Sequence, residues 1–139
     1  MPAMTAAERD AFLAHVRLGI LTTLREDGSP AAVPVWFEWD GSAARCFTGA
    51  ATGKAKRLER DPRASLLVVN RVGEPEAWVA FDGTVTIRPE GAIELAERLA
   101  RRYWDLTNAE HQAELARWRK AASALRVLEL IPARIRTSR

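Results

Sequence analysis

The side chains in this sequence that could do chemistry are few, and the most concentrated group is basic. Lys54 and Arg57 lie three residues apart in a predicted helix that follows a β-strand and a loop of small residues. Residues three apart share a helix face, so these two cations can converge on one anion. Arginine binds a phosphate through two hydrogen bonds, and lysine adds a point charge. The spacing predicts an anion site; the alternative is a solvated basic helix paired with carboxylates such as Glu59.

The start of the same helix adds hydrogen-bond donors. Gly53 opens the helix, and backbone N–H groups in a first helical turn have no partner within the helix. Together with the hydroxyls of Thr48 and Thr52, these groups favour an anion at this end. Lys56 adds a further positive charge to the segment. We therefore expect the loop and the helix to bind one small anion together.

A second unusual feature is a proline inside an alternating strand. Pro34 cannot donate to a sheet ladder, so it belongs at an edge or a bulge, where a ligand can meet freed backbone groups. Val35, Trp36 and Phe37 follow it and would make a flat apolar wall suited to an aromatic ring. An edge strand whose proline only discourages aggregation is the alternative.

The five tryptophans divide into two predicted groups. We expect Trp36 and Trp78 to line a cavity. Packing in the core or at an interface between two copies is expected for the other three, which are Trp39, Trp104 and Trp118.

Several catalytic chemistries lack the residues that they need. Hydrolysis and group transfer require a nucleophile with a base, or a metal site. His15 and His111 lie in predicted helices without metal-ligand spacing around them, and we expect both at the surface. Cys46 is either a small core residue or a reactive thiol. There is also no Gly-x-x-x-x-Gly-Lys-Ser/Thr phosphate loop and no Gly-x-Gly-x-x-Gly turn. We predict no metal site and assign no catalytic side chain.

Composition limits the partners and the compartment. The net charge of +3 is small and its basic residues are interleaved with acidic ones, which argues against a nucleic-acid binder. No apolar run reaches the ~18 to 20 residues of a membrane span, and the N-terminus lacks a secretory pattern. A single cysteine cannot form an internal disulfide. We expect a cytoplasmic protein with no membrane partner.

Hydrophobic periodicity predicts one α+β domain over residues 1–139. The predicted strands are 18–24, 31–39, 44–48, 64–70, 77–88 and 125–137, the last broken at Pro132. The predicted helices are 5–17, 53–60, one beginning at Pro89 and one beginning at Thr107. Thr5 and Thr107 each precede a glutamate by three residues, which is the spacing of a capping box. Six antiparallel strands with peripheral helices favour a barrel, because closure removes exposed sheet edges.

Motifs along nearly the whole chain resemble those of the pyridoxamine 5'-phosphate oxidase-like split-barrel family. They occur in the expected order, as Leu21-Thr22-Thr23-Leu24, Asp27-Gly28-Ser29-Pro30, Val33-Pro34-Val35-Trp36-Phe37, Lys54-Ala55-Lys56-Arg57-Leu58, Asp61-Pro62-Arg63, Phe81-Asp82-Gly83-Thr84-Val85 and the final strand from Val127. The Arg- and Trp-rich C-terminal segment with which true pyridoxamine phosphate oxidases bind their substrate is not recognisable here, which makes a role in vitamin metabolism unexpected.

The resemblance implies a six-stranded antiparallel split β-barrel homodimer with two sites at the interface. It also implies bound FMN or the deazaflavin coenzyme F420. Members of this family place the strand carrying Pro34, Val35 and Trp36 along the ring. Their phosphate-binding loop and helix correspond to the segment with Thr48, Thr52, Lys54, Lys56 and Arg57.

The expected activity is hydride transfer between this cofactor and a small organic substrate, because a redox cofactor supplies the chemistry that the side chains lack. The alternatives are a non-catalytic protein that stores or senses flavin or deazaflavin and, more remotely, a haem-binding split barrel.

Overall fold

Seven strands form one antiparallel sheet in the computed structural model, which describes residues 2–139. The strands are β1 (Gly19–Leu24), β2 (Pro30–Val35), β3 (Glu38–Trp39), β4 (Ala44–Gly49), β5 (Arg63–Val69), β6 (Trp78–Arg88) and β7 (Leu125–Ser138). The helices are α1 (Ala6–Ala14), α2 (Gly53–Arg60), α3 (Ala92–Tyr103) and α4 (Ala109–Lys120), with a short 3-10 turn at Ala122–Ala124. The predicted α+β class is confirmed.

The order of the strands shows how the sheet curls. The sheet runs β2-β1-β5-β6-β7-β4-β3, so β2 and β3 are its two ends. Only Trp36 and Phe37 separate these strands in the chain. Three Cα–Cα steps of 3.8 Å keep the two ends within ~11 Å of each other. The sheet therefore bends round into a half-open barrel.

The prediction of six strands was wrong by one, because the segment 31–39 is two strands rather than one. The break falls at Phe37, whose backbone N–H donates to the hydroxyl oxygen of Tyr103 at 3.3 Å. That hydroxyl donates in turn to the backbone carbonyl of Arg17 at 2.6 Å. A side chain from α3 thus replaces the sheet ladder at this point, and it ties the break to the start of β1.

Pro34 lies in the edge strand β2, as predicted. It pairs with Ile20 of β1, and β2 has no strand on its other side among residues 2–139. The missing N–H therefore costs no ladder bond with another strand.

The longest strand pair carries a bulge rather than a break. The β6–β7 register shifts at Asp82 and Gly83, and β7 continues past Pro132 instead of stopping there. A Cβ on Gly83 would approach the backbone oxygen of Ile131 to 2.1 Å. Only glycine allows the two backbones to come so close.

Two apolar clusters hold these elements together. One fills the barrel and is centred on fully buried Phe37, Phe81, Val68 and Val79. The other lies between α3 and β7 and includes Leu95, Ala96 and Leu99 of α3. Trp36 packs against this second cluster while Val35 and Phe37 belong to the first.

Helix boundaries differ from the predictions at two places. Helix α1 begins with Thr5 as its cap, accepting from the backbone N–H of Glu8 at 3.1 Å, but it ends at Ala14 rather than near Arg17. The cap of α4 is Asn108 rather than Thr107, because the Thr107 hydroxyl donates to Asp105 instead. No helix in the described residues is long and apolar enough to span a membrane.

Candidate functional site

A cavity of about 440 Å³ opens beside the edge strand β2. It brings together five of the eight residues that the sequence analysis assigned to a cofactor. The lining residues are Leu18, Pro34, Val35, Trp36, Phe47, Thr48, Lys54, Trp104 and Trp118. Five separate parts of the chain therefore meet at one concave surface: the residue before β1, the end of β2 with Trp36, the end of β4, the start of α2 and the α3–α4 segment.

The apolar wall of the cavity is an aromatic cluster with fixed geometry. Trp36 stacks on Tyr103, with ring centroids 5.1 Å apart and an interplanar angle of 2°. Trp104 meets Trp36 edge-on at 4.7 Å and stacks on Trp118 at 5.3 Å. Such pairs contribute about 0.5–1.5 kcal/mol each beyond the burial of their area. The cluster therefore gives the cavity a rigid wall before any ligand binds.

Three tryptophans lie elsewhere than predicted from the sequence. Trp104 and Trp118 line the cavity, although they were expected to serve packing or an interface between copies. Trp78, expected in a cavity, instead lies on β6 beside the guanidinium of Arg136, 5.9 Å from the ring centroid. Neither Trp104 nor Trp118 carries a local signal, because only the fold of α3 and α4 brings them to β2.

Helix α4 is held in place by contacts at its N-terminus. Asn108 accepts hydrogen bonds from the backbone N–H groups of Glu110 and His111 at 2.8 and 3.2 Å. The ring of His111 then stacks on Trp104 with centroids 4.3 Å apart. The cap and the stack together position Trp118, two turns further along α4, at the cavity.

Two neighbouring hydroxyls belong to Thr48, which lines the cavity, and Thr52, which does not. Thr48 is buried, and its Oγ1 lies 2.8 Å from Oγ1 of Thr52, which caps α2. The Thr52 oxygen accepts from the backbone N–H of Ala55 and lies 3.0 Å from the carbonyl oxygen of Gly49. Thr52 has one proton, which goes either to Gly49 or to Thr48. When Thr48 receives it, the proton of Thr48 is free for an anion in the cavity, so Thr52 would act through Thr48.

Helix α2 directs its three predicted cationic ligands to different places. Lys54 lines the cavity, and Lys56 is exposed outside the lining. Arg57 is half-buried and its Nε donates to Oγ1 of Thr23 at 2.8 Å, so it contacts β1 and not the cavity lining. The helix face shared by Lys54 and Arg57 thus runs from the cavity to β1.

These three cations are not neutralised by neighbouring carboxylates. Within residues 2–139, none of the ion pairs closer than 4 Å includes Lys54, Lys56 or Arg57. The alternative of a helix paired with carboxylates such as Glu59 is therefore wrong for these contacts. The positive charge remains available to an anion.

The spacing along β1 gives the dimensions of the site. Ile20 pairs with Pro34 at the aromatic end, and Thr23 contacts Arg57. Three residues of a strand span ~10 Å. The apolar wall and the Arg57 guanidinium are thus separated by a distance on that order.

The remaining candidate residues have structural surroundings. Cys46 is buried in the barrel core, where burial raises the pKa of its thiol to about 12, so it is a core residue. His15 is exposed, as expected, whereas His111 is partly buried by its stack on Trp104. No cluster of three or more His, Cys, Asp or Glu side chains suited to a metal occurs in the described part of the chain.

Comparison with known proteins assigns the chain to a family. Residues 5–139 match the family described as "Pyridoxamine 5'-phosphate oxidase". This chain belongs to the pyridoxamine 5'-phosphate oxidase family. The resemblance seen in the sequence is therefore confirmed, and it extends over nearly the whole chain.

The chain is also similar to individual proteins in sequence and in fold. The chain is 35% identical over 97 residues to an F420H(2)-dependent biliverdin reductase of Mycobacterium tuberculosis, covering 67% of this chain and 68% of that protein. A solved structure described as an F420 reductase superposes with a TM-score of 0.73 at 22% identity, covering 91% of this chain and 94% of the other. The crystal structure of a conserved hypothetical protein of M. tuberculosis superposes with a TM-score of 0.77 at 26% identity. The match covers 96% of this chain and 84% of the other.

The residues present fit a flat anionic cofactor. FMN and F420 each combine a planar conjugated ring with a phosphate, and the cavity combines an aromatic wall with Lys54 and the Thr48 hydroxyl. Lys54, which has no ion-pair partner, lines the same cavity as the tryptophans. An apolar wall with a few placed polar groups is the usual composition of a cofactor site.

Proposed function

We propose that this protein is an oxidoreductase that transfers a hydride between bound F420 or FMN and a small, electron-poor organic substrate. The observation that carries the proposal is the cavity in which Trp36 and Pro34 face the same space as Lys54 and Thr48. The F420H(2)-dependent relative supports F420 over FMN as the cofactor and adds biliverdin to the substrates worth testing.

Each group of residues has a role in this proposal. The strand segment from Pro34 to Trp36 supports the plane of the cofactor ring, and Trp104 and Trp118 complete the apolar wall that keeps water from it. Lys54 and Arg57 hold the phosphate. The bound cofactor supplies the hydride chemistry, while the protein supplies position and electrostatics.

The source of any proton needed by the substrate is solvent. Among the described residues, the cavity lining contains no Asp, Glu or His side chain. A reaction that needs general acid catalysis by a side chain is therefore not part of the proposal. We therefore expect the pH profile of the turnover rate to show no pKa near neutral pH from a catalytic acid or base of the protein.

The proposal includes a homodimer with the two sites at its interface. Leu18 lines the cavity although it is 55% exposed, and Val69 nearby is 45% exposed. Both also line a neighbouring depression of about 320 Å³, so apolar surface continues outward from the cavity. Contiguous exposed apolar surface is typical of an interface. Light scattering at micromolar concentration should give twice the chain mass of 15.4 kDa; a single monomer mass would contradict the shared site.

Turnover separates an enzyme from a protein that stores or senses the cofactor. The purified protein is mixed with reduced F420, or with FMN and a reductant, and then with quinones, enones, nitroaromatics and biliverdin. Cofactor oxidation that depends on both protein and acceptor supports the oxidoreductase. Tight binding without oxidation by any acceptor supports storage or sensing instead.

A further inference from the structure

Thr23 is a buried residue that contacts the candidate phosphate ligand Arg57. It lies in β1 with a relative exposure of 1%, and its Oγ1 accepts the Nε–H of Arg57 at 2.8 Å. A threonine hydroxyl buried in a barrel needs a partner, and this one is a charged donor from α2. The contact therefore fixes the side chain of Arg57 against the sheet.

Gly53 has no side chain, and Nη1 of Arg57 lies in the space that a side chain there would take. A Cβ on Gly53 would approach Nη1 of Arg57 to 2.9 Å, closer than real Cβ contacts. Gly53 is the first residue of α2 and has no positive φ, so its backbone conformation does not require glycine. Glycine at this position therefore leaves room for the guanidinium as it lies in the structure.

The bond on Nε and the space above Gly53 together favour one placement of the guanidinium, with Nε against β1 and Nη1 over the start of α2. The guanidinium group is planar, so holding Nε and packing Nη1 above the first turn of α2 also sets Nη2. Arg60 adds to the docking of the helix, because its Nη2 donates to the backbone oxygen of Leu24, next to Thr23. Helix α2 is thus attached to β1 by two arginines, and one of them lies over the turn that begins at Gly53.

We propose that Thr23 and Gly53 are positioning residues that hold the Arg57 guanidinium ready for the cofactor phosphate at the start of α2. The proposal rests on the function proposed above and adds a determinant of selectivity for phosphorylated ligands. A side chain already held in its binding orientation loses less entropy on binding. The gain applies to a ligand with a phosphate and not to one without it.

The test compares two ligands that differ by the phosphate. Affinities for FMN and for riboflavin are measured by tryptophan fluorescence quenching in wild type, Thr23→Val and Thr23→Ser. If F420 is the cofactor that binds, F420 is compared with its deazaflavin core, which carries the ribityl chain but lacks the phosphate and the tail attached to it. Thr23→Val should weaken binding of the phosphorylated ligand about tenfold, or ~1.4 kcal/mol, and leave the affinity for the ligand without a phosphate unchanged. Thr23→Ser keeps the acceptor and should restore the preference.

A second variant keeps the test decisive if Thr23→Val does not fold. Alanine at the exposed position 53 favours the helix, so Gly53→Ala should fold at least as well as wild type. It displaces Nη1 of Arg57 and should lower the preference for the phosphorylated ligand in the same way. An unchanged ratio of the two affinities in Gly53→Ala would overturn the proposal.

Arg57→Ala separates this inference from the proposed function. The preference for the phosphorylated ligand could be lost in Arg57→Ala but kept in Thr23→Val and Gly53→Ala. Arg57 would then bind the phosphate without being positioned by Thr23 and Gly53. That result would contradict this inference but not the proposed function. An unchanged preference in Arg57→Ala would contradict the phosphate role itself. The double variant Thr23→Val/Arg57→Ala should be no worse than Arg57→Ala, because Thr23 acts through Arg57.

Discussion

Lys54 and Lys56 lie two positions apart on α2 and have different surroundings. Lys54 lines the cavity, whereas Lys56 is exposed and outside it. We expect Lys54→Ala to weaken binding of FMN or F420 about tenfold, or ~1.4 kcal/mol, and Lys56→Ala to change it little. Calorimetric titration of both variants measures the difference. Equal losses would mean that general positive charge, and not the geometry of the cavity, attracts the cofactor.

Arg17 and Glu74 form an ion pair whose effect on stability depends on pH. The guanidinium of Arg17 is almost fully buried and bonds both carboxylate oxygens of Glu74, at 2.7 and 3.0 Å. The Arg17 hydrogen bond lowers the pKa of Glu74 from 4.5 to about 2. A lowered pKa adds stability above the unfolded value, and this stability is lost as the pH falls from about 4.5 to about 2.

Urea unfolding at several pH values tests this pair. Glu74→Gln should be less stable than wild type at pH 7, because Arg17 then lacks a charged partner. The difference between the two proteins should shrink as the pH falls from 4.5 towards 2, since protonation of Glu74 then favours the unfolded wild-type protein. A difference that stays constant from pH 7 to pH 3 would contradict the assignment of the effect to this carboxylate.

At the residue scale, the sequence was informative where a local rule applied. Pro34 lies at a sheet edge because proline lacks an N–H, and this follows from the residue itself. Thr23 looked like any strand threonine, since its bond to Arg57 spans 34 positions of the chain. Trp104 and Trp118 were missed for the same reason.

Helix α4 is the element that brings Trp118 to the cavity, and its cap tests that role. Asn108→Ala removes the acceptor of two backbone N–H bonds and should cost about 1 kcal/mol of stability. It should also weaken cofactor binding, because the first turn of α4 carries the His111 ring that stacks on Trp104. Thr107→Ala is the matched control, since Thr107 bonds only to Asp105. A larger loss of stability in Thr107→Ala than in Asn108→Ala would contradict this role of Asn108 and support Thr107 as the cap, as predicted from the sequence.

Elements were predictable in type but not always in extent. Alternation over 31–39 indicated one strand, and every second residue packs in or against the barrel core on both sides of the break, namely Val33, Val35, Phe37 and Trp39. The break itself depends on the Tyr103 hydroxyl from α3, which bonds Phe37 across 66 positions. Hydrophobic periodicity carries no information about such a contact.

At the scale of the whole molecule, the order of weak motifs was more informative than any motif alone. The family assignment covers residues 5–139 and agrees with the resemblance found from the sequence. A curled sheet was predicted because closure of a barrel removes exposed sheet edges. In the structure, a two-residue link joins the two end strands, β2 and β3. The homodimer remains a prediction.

The central claim is that this cavity binds a flavin-type cofactor with its phosphate on α2. The direct measurement is titration of the purified protein with FMN and, in parallel, with F420, following the fluorescence of Trp36, Trp104 and Trp118 at the cavity. We predict saturable quenching by one of the two cofactors, and binding more than tenfold weaker in Lys54→Ala/Arg57→Ala, or ~1.4 kcal/mol. Quenching by neither cofactor, or equal affinity in the double variant, would contradict the account.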